Sequence, residues 1–253
     1  MTFFYTIKFK KLKQVSLFLV LALFTALFLW VETKSDFTVF FTQDNPSALT
    51  KGSPDDESVA LTFNITWGDT MLEPTLEQLE KHDVTATFFL LGEWVEHHPD
   101  LVEMIEKAGH EIGMLGYRYK SYLKQEPEQI RQDLNKATDV FSKMGYTDLR
   151  LLRTPSGHIN DEVLDIVTNQ GFDVIQWNVN PRDWENPGTN EIIDHVLSNT
   201  SNGDIILLHA SDSVKQTPTA LESILPGLKQ KGLSFVTISE LITRAQAEVE
   251  EIN

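Results

Sequence analysis

From Ser58 onward the chain alternates short apolar, β-rich runs with amphipathic helical patterns, and that alternation restricts it to α/β architectures. The β-rich runs fall at 58–64, 85–91, 111–115, 149–153, 172–179, 204–210 and 233–238. Helical patterns separate them, at 72–80, 99–107, 129–143, 162–170, 191–197 and 219–229, with a last one starting near Ser239. The helix at 99 opens on a proline, which suits a first turn because that turn needs no N–H from it. Strands separated by helices lie parallel and cross over right-handedly. Seven such units predict a (β/α) barrel, complete or incomplete in its closure, with an open doubly wound sheet as the alternative.

The N-terminus follows a different rule. Lys8, Lys10, Lys11 and Lys13 precede an uncharged, Leu- and Phe-rich run from Gln14 to Val31. A run of that length just spans a hydrocarbon core, and the lysines mark its cytoplasmic side. The expected organisation is a basic cytoplasmic start at 1–13, a transmembrane anchor at 14–31, a linker at 32–57, the α/β domain at 58–242 and a tail at 243–253. Everything past Val31 would then lie outside the cell, in a single-pass arrangement. A cleaved signal peptide is the rival reading, although the run ends Leu27-Phe28-Leu29-Trp30-Val31 without small residues. The formal net charge of −16 argues against nucleic acid as a partner. The absence of cysteine removes thiolate ligands, a thiol nucleophile and a disulfide framework.

In parallel βα folds, chemistry collects at the C-terminal ends of strands. Those ends here are Asn64-Ile65-Thr66-Trp67-Gly68-Asp69, Met114 to Tyr119, Arg153-Thr154-Pro155-Ser156-Gly157, Asn180-Pro181-Arg182-Asp183-Trp184 and His209-Ala210-Ser211-Asp212. Each has an ordinary reading as turn or packing residues. Arg153, Asp183 and His209 together form the candidate catalytic group, because buried charges need partners and one rim would hold all three. His158 is an outside candidate; His82, His97, His98, His110 and His195 are weaker. No HxxxH or HExxH spacing points to a metal.

With these segments in order, residues 58–242 resemble the NodB-homology polysaccharide deacetylases of carbohydrate esterase family 4, and sporulation members most of all. The resemblance implies the distorted seven-stranded barrel of that family and a hydrolase acting on C–N bonds of N-acetylated sugars. Its working members hold a divalent metal with one Asp and two His. Laid over this chain, the ligand positions are Ile65, Leu115 and Tyr119, and the general-base position is Asn64. Hydrocarbon side chains offer a metal no lone pair, so no metal and no cofactor is expected. Asn64 cannot accept a proton near neutral pH. Arg153, Pro155, Gly157, Asp183, Trp184, Leu207 and His209 keep the family's residues, while Asn180 departs from an aspartate. The expected groove is Trp67, Asp69, Tyr119, Pro155, Trp184 and Asp212. His209 is expected to bond Asp183, or failing that Asp212, with Arg153 joining the same cluster.

Three functions fit these residues. One is a catalytically degenerate protein that faces cell-wall or spore-cortex glycan as a binder or scaffold. Another is a hydrolase of N-acetylated peptidoglycan sugars that works without metal through His209 and Asp183. The third is a membrane-tethered partner of another protein.

Overall fold

The computed structural model describes residues 47–252; the basic start, the anchor and most of the linker expected above lie outside the described residues. Among the described residues, no helix is long and apolar enough to cross a membrane.

Seven strands form one parallel sheet: β1 Ser58–Ile65, β2 Thr87–Leu90, β3 Glu111–Met114, β4 Leu151–Leu152, β5 Asp173–Val174, β6 Ile205–His209 and β7 Ser234–Val236. Their order is β5-β4-β3-β2-β1-β6, with β7 pairing the first residues of β1. Among the described residues, eight α-helices accompany them: α1 Leu72–Lys81, α2 Gly92–His97, α3 Pro99–Lys107, α4 Pro127–Lys143, α5 Asp161–Asn169, α6 Thr189–Asn199, α7 Thr217–Gln230 and α8 Ile238–Ile252. Local chemistry sets their starts. Glu126 and Gln129 form a capping box around Pro127, and the Asn160 side chain accepts from Val163 N at 2.9 Å. On α4 the buried positions Ile130, Leu134, Ala137 and Phe141 recur at helical spacing and face the sheet.

The sheet curls into a partial barrel rather than an open doubly wound sheet. The two outermost strands are brought together by single bridges: Leu49 pairs Ile175 beyond β5, Lys51 pairs Asp204, and Val179 pairs Ile206 of β6. Residues 49–51, read from sequence as linker, thus help to close the ring. Alternation along the strands then sorts side chains into two cores. Ala60, Phe89, Leu115, Leu151, Ile175 and Ile205 pack inside the ring. Val59, Leu61, Phe63, Ile65, Phe88, Leu152 and Leu208 pack in the layer shared with the helices. The outer layer holds most of the buried apolar side chains.

Candidate functional site

The C-terminal ends of the strands enclose a cavity of about 510 Å³. Its walls include Asn64, Thr66, Trp67, Tyr119, Trp177, Asn180, Trp184, Leu207 and His209, with Ser156, His158, Ser211, Ser213 and Val214 completing them. Trp67, Tyr119 and Trp184 are each about half exposed, at 54%, 50% and 48%. Large aromatic rings left in water around a concave site mark a binding surface.

One polar cluster sits under one wall. Asp183 lies in a short 3-10 turn, Asp183–Glu185, flanked by the left-handed residues Arg182 (φ 57°) and Asn186 (φ 51°). That turn aims a fully buried carboxylate at β6. Asp183 Oδ1 accepts from His209 Nδ1 at 2.7 Å; Oδ2 accepts from His209 N at 2.8 Å and from Thr217 Oγ1 at 2.8 Å. A carboxylate can only accept, so Nδ1 carries the proton, and Nε2 is the ring nitrogen left for the cavity. The expected pairing of His209 with Asp183 is what the geometry has; Asp212 is elsewhere.

Arg153 departs from expectation. It does not join Asp183 and His209. Its fully buried guanidinium crosses the ring interior, lies over the Phe89 ring at 4.1 Å, and donates to Asn64 Oδ1 at 3.0 Å, Gln176 O at 3.0 Å and Ile175 O at 3.2 Å. Among the described residues it has no carboxylate within 4.0 Å. Burial pushes its pKa down to about 9, which leaves it cationic at neutral pH. Arg153 follows β4 and reaches across the ring to Asn64 of β1, but its donors are taken there by Asn64, Ile175 and Gln176, while both Asp183 oxygens are occupied by His209 and Thr217.

Three expected groove residues are not on its walls. Asp212 Oδ1 accepts from Thr70 N at 2.8 Å and Met71 N at 3.2 Å, fastening the loop that leads into α1. Partial burial raises its carboxyl, but bonds from Thr70, Asp69 and Met71 outweigh that and hold it below the usual value. Pro155 is buried, and Asp69 is exposed beyond the rim. Trp177, Asn180, Leu207 and the serines were not singled out as groove residues; Ser156, with φ 65°, and Trp177 carried no local signal beyond a polar or aromatic residue after a strand. The second strand-end loop is pinned by Asp133 of α4, which accepts from Tyr117 N, Arg118 N and Tyr122 Oη.

The family's divalent metal does not fit here. Ile65 is fully buried and packs outward with Val59, Leu61 and Phe63, turned from the cavity. Leu115 is fully buried inside the ring, and Tyr119 places a half-exposed phenol on the rim. Among the described residues no three His, Asp or Glu side chains gather closely enough to bind a metal.

A polysaccharide deacetylase family model matches residues 51–175. A Bacillus cereus peptidoglycan-N-acetylglucosamine deacetylase is 37% identical over 75% of this chain and 90% of its own length. The Bacillus subtilis protein YlxY is 34% identical over 78% of this chain; the chain spans only 61% of YlxY. The solved structure of BA3943, a carbohydrate esterase family 4 pseudoenzyme from Bacillus anthracis, superposes with a TM-score of 0.73 at 32% identity, covering 78% of this chain and 69% of the other. The chain belongs to the polysaccharide deacetylase family.

Proposed function

We propose that the protein is a cell-wall glycan-binding member of this family that does not perform metal-dependent deacetylation. The observation that carries the reading is the strand-end cavity itself. It keeps three half-exposed aromatic rings that can lie against sugar faces, yet its ligand positions are Ile65, Leu115 and Tyr119 and its base position is Asn64. The likeness to a pseudoenzyme of the same family supports it. We place the domain outside the cell, tethered by residues 14–31. Likeness of Gly116-Tyr117-Arg118-Tyr119-Lys120 and of Leu207-Leu208-His209-Ala210-Ser211 to the sporulation protein PdaB extends the proposal to spore-cortex glycan.

Metal-free hydrolysis is the second reading. The His209–Asp183 pair favours it, because an oriented imidazole with a free Nε2 at a cavity wall can transfer protons. One experiment separates the readings. The full chain is incubated with purified peptidoglycan sacculi, and both retention and acetate release are measured. Binding reduced at least tenfold by Trp67→Ala with Trp184→Ala, and no acetate above background, supports the binder. Acetate release lost in His209→Ala establishes the hydrolase. Absence of retention points instead to a tethered partner of another protein.

A further inference from the structure

The cavity floor inverts the chemistry expected at its base position. Arg153 has only donors, so the Asn64 atom bonded to it is the carbonyl Oδ1. Asn64 is itself on the cavity wall. Its Nδ2 is therefore fixed as a donor, where a carboxylate would have been an acceptor. Behind it stands a guanidinium that is fully buried and unpaired with any acid among the described residues.

The surroundings offer that positive charge carbonyl oxygens and the faces of Phe89 and Trp177, but no carboxylate. The chain carries a formal charge of −16, yet no Asp or Glu is among the cavity-wall residues. Three acids of the strand-end loops are already engaged. Both Asp183 oxygens accept from His209 and Thr217, Asp212 fastens the loop before α1, and Glu185 pairs with Arg182. An unpaired buried cation behind a single fixed amide donor is an unfavourable arrangement until an anion approaches.

We propose that the Asn64–Arg153 pair makes the cavity floor a carboxylate subsite, so that the glycan taken there contains an acidic sugar unit. The carboxylate accepts from Asn64 Nδ2 and gains from the guanidinium behind it, while Trp67, Tyr119 and Trp184 hold neutral sugar faces around it. This rests on the glycan-binding reading above and adds which sugar is preferred.

The test titrates the full chain, following its tryptophan fluorescence, with two disaccharides that share the same amino-sugar backbone. One is N,N′-diacetylchitobiose, which is neutral; the other is N-acetylglucosaminyl-N-acetylmuramic acid, which carries one carboxylate. A preference of at least about tenfold for the acidic disaccharide is expected, the lower range for a hydrogen bond to a charged group. Asn64→Asp, which pairs Arg153 internally and turns the donor into an acceptor, should abolish or reverse that preference; Asn64→Leu should reduce it. Equal affinities in the wild-type chain, or an unchanged preference in both variants, overturn the subsite and leave glycan binding standing. Failure to bind either disaccharide overturns both readings together.

Discussion

Replacing Asp183 by Asn tests the polar cluster with a change of one atom. The carboxylate receives three hydrogen bonds in a fully buried position, from His209 Nδ1, His209 N and Thr217 Oγ1. An asparagine has one oxygen and one NH₂ in the same space. The backbone N–H of His209 cannot stop donating, so the amide oxygen must take the Oδ2 position and the NH₂ must face the imidazole. The ring can answer by moving its proton, with Nδ1 becoming acceptor and Nε2 carrying the hydrogen. All three bonds survive but lose their ionic character, at a cost of about 1 kcal/mol each, partly offset by no longer burying a charge. The net loss is about 2 kcal/mol, or about 4–8 °C in Tm for a domain of this size. Asp183→Ala leaves buried donors unpaired and should cost about 3–5 kcal/mol. Differential scanning calorimetry gives the stabilities, and ¹⁵N chemical shifts of His209 report the proton's move from Nδ1 to Nε2. An Asp183→Asn protein with unchanged Tm and an unchanged tautomer would refute the reasoning.

Gly68 has φ +84°, and a Cβ there would lie 2.2 Å from Asp212 Cγ, so Gly68→Ala should cost about 2–4 kcal/mol through strain and a displaced carboxylate, read in a urea melt. Ile65→Asp should not create a metal site, because the new carboxylate would enter the layer under the helices; a loss of at least about 3 kcal/mol and no stoichiometric zinc, cobalt or manganese by elemental analysis are expected. Burial pushes His110 down to about 4, against an ordinary 6.5, so unfolded chain binds the proton first on acidification. Its contribution is complete above pH 6.5, declines to pH 4 and is then lost; after discounting for partial exposure it amounts to about 1–3 kcal/mol, and His110→Phe should flatten that part of the stability–pH curve.

Periodicity alone determined the seven parallel strands, because burial on both faces writes continuous apolar runs whatever their neighbours are. The helix start at Pro99 was legible because a proline at a first turn is a local signal, whereas the next long helix, read from Gln129, starts at Pro127. Residue types at the ligand positions also settled from sequence that Ile65 and Leu115 bring no lone pair to a metal. The lengths of β4 and β5 were not legible. Their apolar runs continue, but only Leu151–Leu152 and Asp173–Val174 pair as strands, because pairing depends on a neighbour that bends away. Nor was ring closure by Leu49 and Lys51, which are polar-flanked residues until Ile175 and Asp204 are placed beside them. The candidate site divides along the same line. His209 met Asp183 as expected, since a carboxylate and an imidazole at strand ends satisfy one another across a short gap. Arg153 went instead to Asn64. Only the folded ring set β4 opposite β1, so that the buried guanidinium met the Asn64 amide rather than a carboxylate already occupied by His209 and Thr217.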